Sequence, residues 1–237
     1  MSVLQRNFIL PAVAGLLATL LSLALGVRGI YPIVTIFGAA FVITTVVMEF
    51  ARGLQARKDV AAGRGAMAIV DLVTKNRRRY GGYIIHVGVV MIFIGVLGSS
   101  AFQKEAHKPL RTGESMKIGD YTLTLKGTDQ AMERSAAVTR AEVDVSQNGR
   151  SFGLSHPAKA MYFKSQQPMT EVALHQTPGE DLYMILGGVN DDGSVTLQAY
   201  INPLVSLIWA GGLVMLFGTI FTLSDRMRLR REEKEAA

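Results

Sequence analysis

The sequence predicts a mixed membrane protein: four transmembrane α-helices with an antiparallel β-rich domain inserted between the third and the fourth. Three observations carry that class. Apolar runs without Lys, Arg, Asp or Glu occur at 8–25, 30–48, 80–100 and 204–223. Each approaches the roughly 20 residues that cross a hydrocarbon core about 30 Å thick. The stretch between the third and fourth runs instead alternates apolar and polar residues, the period of a half-buried strand. Basic residues crowd the connectors next to the runs, which is the positive-inside pattern.

In order, residues 1–50 form a helical hairpin: a first span, a Gly26-Val27-Arg28-Gly29 turn and a second span. The first run, at 18 residues, exceeds a signal-peptide core and lacks a small-x-small cleavage site, so it is read as a helix. Pro11 is expected in its first turn, where a missing N–H costs least. Residues 51–79 form a basic cytoplasmic segment. From Glu49 to Arg79 the chain holds Arg52, Arg57, Lys58, Arg64, Lys75, Arg77, Arg78 and Arg79 against three acids. Within it Ala66, Ile69, Val70 and Val73 share one helical face, as in a short interfacial helix.

Residues 80–100 make the third span and 101–201 the β domain, placed on the periplasmic side. Tyr121–Lys126, Ala141–Val145 and Val195–Ile201 alternate cleanly, Met169–His175 and Leu182–Gly187 are further strands, and Asn148-Gly149 and Asp192-Gly193 are hairpin turns. Short strands with no amphipathic helix among them imply a small sandwich or barrel. Asn202-Pro203 opens the fourth span, 202–223, which returns to the basic cytoplasmic tail 224–237. Both termini are thus expected in the cytoplasm of a multi-pass inner-membrane protein.

The net charge of +6 does not indicate nucleic acid, because the excess lies beside the spans, while 101–200 carries ten Lys/Arg against twelve Asp/Glu. The lipid bilayer is the partner it fits. The absence of cysteine excludes disulfides, thiol chemistry and a haem-attachment CxxCH on this chain.

The third span carries the candidate site. Gly81, Gly88 and Gly95 recur every seven residues, a small-residue stripe against which another helix can pack. His86 lies about 200° round from Gly88, on the face of Val90, Phe93 and Arg79. An imidazole in hydrocarbon needs a partner: an interhelical hydrogen bond, a proton relay or axial ligation of a metal or haem. The triple arginine reads as a topology anchor, and Arg79, about 10 Å along the axis from His86, is also placed to meet a haem propionate. His107, His156 and His175 lack metal-ligand spacing and are expected at the surface. Trp209 is expected near the outer interface or against lipid.

Asn76-Arg77-Arg78-Arg79-Tyr80-Gly81-Gly82-Tyr83-Ile84-Ile85-His86-Val87-Gly88 and the turn Arg111-Thr112-Gly113-Glu114-Ser115 resemble the C-terminal part of the CcmF family. This is the membrane component of system I cytochrome c maturation. Thr170-Glu171-Val172-Ala173-Leu174, Asp181 to Gly187 and Asn202-Pro203-Leu204-Val205 support the resemblance. It implies a haem lyase that receives haem from holo-CcmE and, with CcmH, attaches it to CxxCH of apocytochrome c. It also implies a haem b between two transmembrane histidines, of which His86 matches the second. The chain departs from a full-length member in having one Trp, in a span, and no second histidine in a span. A split gene or a fragment is therefore expected, with an N-terminal CcmF portion as partner and no catalysis by this chain alone. The alternatives are a lyase paralogue dedicated to nitrite-reductase haems, and a non-haem membrane scaffold or sensor whose β domain binds a periplasmic ligand.

Overall fold

A computed structural model describes residues 3–55 and 66–235. Its helices are α1 (Val3–Ala24), α2 (Ile30–Gln55), α3 (Ala66–Lys75), α4 (Arg77–Ala101) and α5 (Val205–Glu235). Asn7–Ala24, Ile30–Gln55, Arg77–Ala101 and Val205–Ser224 are each long and apolar enough to cross a membrane. The chain separates into two compact units, residues 98–205 and the helical remainder.

Three details of the helices differ from the sequence reading. Pro11 lies in the interior of α1, which begins at Val3, so its missing N–H falls inside the hydrogen-bond ladder. In α3, among the residues whose side chains are described, Leu72 is buried and Val70, placed on the expected stripe, is exposed. Leu72 reaches α2 at Gly53. Arg64, set against that stripe, lies outside the described residues. Finally, α2 does not stop at Met48 but continues through Glu49 to Gln55.

The glycine stripe of α4 packs on α5. A Cβ built on Gly88 would lie 2.7 Å from the Gly211 carbonyl oxygen, and one on Gly211 would lie 2.6 Å from that of Gly88. Gly81 and Gly218 meet in the same way. Since 81 to 88 and 211 to 218 are both seven-residue steps, two matched stripes let the backbones touch over two turns. Trp209 on α5 is 70% exposed.

The unit 98–205 is a ten-stranded antiparallel β-sandwich. Its strands are β1 (Lys104–Leu110), β2 (Ser115–Ile118), β3 (Tyr121–Met132), β4 (Ala136–Gln147), β5 (Arg150–Ser155), β6 (Ala158–Tyr162), β7 (Pro168–Glu171), β8 (Ala173–Gln176), β9 (Glu180–Val189) and β10 (Val195–Pro203). One sheet has the order β1-β10-β9-β8 and the other β2-β3-β4-β6-β7, with β5 also on β4. Alternation puts Leu123, Leu125, Val143, Val145, Leu182, Met184, Leu186, Leu197 and Ile201 into one shared core. Asn148 and Gly149 both take positive φ between β4 and β5, as a tight hairpin turn demands. The stretch Met169–His175, read as one strand, is two: β7 and β8 lie in different sheets, and the chain changes sheet at Val172.

Leu197 has no exposed surface and sits on the central pair β9/β10. Leu197→Ala is expected to cost about 2–5 kcal/mol through lost transfer energy and a residual cavity. The check is pulse proteolysis of the full chain in detergent along a denaturant series, which should show the β domain cut at lower denaturant.

In the β9–β10 loop, the Ser194 hydroxyl and amide both donate to Asp192, at 2.6 and 3.0 Å. These bonds, and then Arg111, hold its carboxyl below the usual range. A depressed carboxyl contributes stability above its ordinary pKa of about 3.9 and loses it as pH falls through the folded value. Asp192→Asn should therefore lower the melting temperature at pH 7, and the gap to wild type should close on titration towards pH 3.

Candidate functional site

His86 stands on the α4 face opposite Gly88, directed to α2. The α2 residues Val34, Thr35, Gly38, Ala39 and Val42 and the α4 residues His86, Val89, Val90 and Phe93 line an apolar cleft of about 260 Å³. Gly38 and Ala39 make the space, since small side chains on α2 leave room in front of the imidazole. Thr35 and His86 are the polar side chains of that lining.

His86 Nδ1 lies 2.8 Å from the carbonyl oxygen of Gly82, one turn back. A carbonyl oxygen only accepts, so Nδ1 carries the proton and donates it. The lone pair is then on Nε2, and the ring is exposed rather than enclosed by its own helices. A backbone carbonyl on the far nitrogen is the arrangement that fixes tautomer and orientation in ligating histidines. A single imidazole nitrogen in an apolar setting is a donor that zinc, copper, nickel and iron centres, haem iron among them, all accept. Among the described residues no three His, Asp or Glu come together to hold a metal ion.

The triple arginine is shared out among helices. Arg77 donates to Ser224 of α5 at 3.1 Å and lies over the Phe221 ring at 5.6 Å. Arg78 is exposed. Arg79 forms an ion pair with Glu49 of α2 and donates through Nε to the Tyr83 hydroxyl at 3.0 Å. Tyr83 in turn donates to Glu49 at 3.1 Å, and Arg52 binds the other carboxylate oxygen at 2.9 Å. Phe50 packs edge-on against Tyr80, ring centres 4.7 Å apart. The guanidinium expected to be open to a propionate thus already holds a carboxylate, while its side chain stays 60% exposed.

Sequence reasoning missed Glu49 because it ends the apolar run and was counted with the connector. The signal was present: Glu49 directly follows one run and Arg79 directly precedes the other, so antiparallel spans bring them to the same height.

In the β domain His107 and His156 are exposed, as expected. His175 is only half-exposed: its ring lies 4.5 Å from Phe152 and 6.5 Å from Tyr121, with Nε2 buried and without a hydrogen-bond partner. Packing of β5 over β8 covers it, which spacing in the chain does not reveal.

Comparison with known proteins agrees with this architecture. Residues 101–203 match the family model of the CcmF C-terminal beta-sandwich. The cytochrome c-type biogenesis protein CycK of Bradyrhizobium diazoefficiens is 28% identical over 81% of this chain and 32% of its own length. CcmF of Haemophilus influenzae is 31% identical over 64% of this chain and 23% of its own length. A solved structure of the cytochrome c heme lyase CcmF superposes with a TM-score of 0.67 at 21% identity, covering 92% of this chain and 34% of that one. The chain thus spans a quarter to a third of the length of the proteins it matches. It belongs to the CcmF family of cytochrome c biogenesis proteins and corresponds to their C-terminal portion.

Proposed function

We propose that this chain works within a CcmF-type cytochrome c haem lyase and that His86 supplies, through Nε2, one axial ligand of a haem b in the bilayer. The observation that carries the reading is the His86–Gly82 hydrogen bond. It commits Nδ1 and leaves the ligating nitrogen at a cleft whose other walls are almost wholly apolar. Bound there, the haem supplies a one-electron redox centre, and the chain's own residues orient the imidazole and exclude water. The N–H groups of Arg79 not engaged with Glu49 and Tyr83 offer a contact to a propionate.

The second axial ligand and the remaining walls come from an N-terminal CcmF portion, because the other three histidines all fall within residues 101–203. The basic segments face the cytoplasm and residues 101–201 the periplasm, where the sandwich serves as a docking surface for CcmH, holo-CcmE and apocytochrome c. Haem transfer to CxxCH is an activity of that assembly. The test is to purify the chain in detergent with and without its N-terminal partner, and to record the absorption spectrum and pyridine haemochrome. An intact complex devoid of b haem would overturn the reading.

A further inference from the structure

We infer that Glu49 is a positioning residue that sets the separation of α2 and α4 and so fixes the walls of the His86 cleft. The inference uses helix geometry for its first step and rests on the haem reading of His86 for its consequence. Glu49 receives Arg79 and Tyr83 from α4 on one oxygen and Arg52 from its own helix on the other. Its side chain is 17% exposed, whereas Arg79 and Arg52 reach outward. A carboxylate withdrawn from solvent and matched by two guanidinium groups and a phenol is costly to leave half-paired. The four groups therefore act as one clasp across two helices.

The height of the clasp gives it its effect. Val42 is seven residues before Glu49 on α2, and His86 is seven after Arg79 on the antiparallel α4. Both line the cleft, about 10 Å beyond the clasp on each helix. At the clasp itself Phe50, next to Glu49 on the side away from the cleft, packs on Tyr80 and Tyr83. Above it, the α2 wall is Val34, Thr35, Gly38, Ala39 and Val42, and at Gly38 even an added Cβ would meet nothing within 4 Å. The clasp, not side-chain packing beside the imidazole, holds the two walls at their spacing.

The sequence has no cysteine, so Thr35→Cys with Phe93→Cys places the chain's sole two thiols at the cleft. Cross-linking by a short bifunctional thiol reagent then reads its width without any haem. Glu49→Ala should lower the yield several-fold, Glu49→Asp should recover part of it, and Arg79→Ala combined with Glu49→Ala should add little, because both remove the same clasp. Should Glu49→Ala fail to insert or fold, Tyr83→Phe, which removes one bond, is expected to give a smaller drop of the same kind. In the complex with its N-terminal partner, Glu49→Ala should keep the axial-histidine spectrum while haem dissociates about ten-fold faster or more. Unchanged cross-linking in Glu49→Ala, or in Tyr83→Phe where that variant stands in, overturns the inference whatever the chain does with haem. Unchanged haem dissociation beside reduced cross-linking overturns its consequence for the cofactor. A wild-type complex without haem sinks the function proposed for His86 and leaves the cross-linking result to decide the clasp.

Discussion

His86→Ala is expected to abolish the b-haem absorption of the complex while leaving the assembly with its N-terminal partner intact. The imidazole is exposed on its own helix pair and, among the described residues, makes one hydrogen bond, to a backbone carbonyl of the same helix. Its removal therefore takes away no hydrogen bond between the described helices, and the stability cost should be small beside the loss of an iron ligand. Replacement by alanine also leaves a hole of imidazole size beside Val90 and Phe93. Added imidazole should restore part of the low-spin spectrum in His86→Ala, and an added amine of similar pKa without a ring should restore less. A variant that retained the wild-type spectrum without imidazole would place the ligand elsewhere. If His86 serves instead as a packing residue, the substitution should lower the melting temperature and leave the spectrum unaltered.

A large loss of stability within the helical unit is expected at the α4–α5 contact. In Gly211→Ala the new Cβ falls 2.6 Å from the Gly88 carbonyl oxygen and 3.0 Å from the Ile92 amide nitrogen. Neither is a flexible side-chain end that can swing aside, so the helices must separate. Overpacking of this kind costs about 1–3 kcal/mol, and more where backbone blocks relief. Gly212→Ala is the matched control: a Cβ there meets nothing within 4 Å, and replacing a helical glycine should be neutral or gain roughly 0.5–1 kcal/mol. Two neighbouring glycines are thus expected to respond with opposite signs. Thermal melting of the purified chain in one detergent checks both at once, and equal behaviour of the pair would contradict the contact.

The features legible in the sequence are those written in a period. Runs free of charge gave the four helices, alternation gave β3, β4 and β10, and the 100° step per residue put His86 and Gly88 on opposite faces. What escaped has little side-chain signal. β1 reads Lys-Glu-Ala-His-Lys-Pro-Leu, with Leu110 its single buried residue, because an edge strand needs no apolar face. The fully buried residues of β6 are alanines, Ala158 and Ala160, in a small satellite core with Ala136 and Val138 against which its half-buried Tyr162 packs, so its alternation is weak in hydropathy. Val172, where β7 gives way to β8, is a valine in a stretch of strand formers, and no glycine or proline marks the change of sheet. Glu49 was obscured for a different reason. Run-length reasoning ends a span at the first charge, whereas α2 continues and lets α4 neutralise that charge from the side.

The pairing of β1 with β10 has a topological consequence. Lys104 lies opposite Ile201 and Leu110 opposite Val195, so the strand that enters the sandwich and the strand that leaves it run side by side from their first residues. The hundred residues between α4 and α5 therefore return to their point of departure. Closing so long an excursion costs little more than closing a short one, since loop entropy grows only with the logarithm of length.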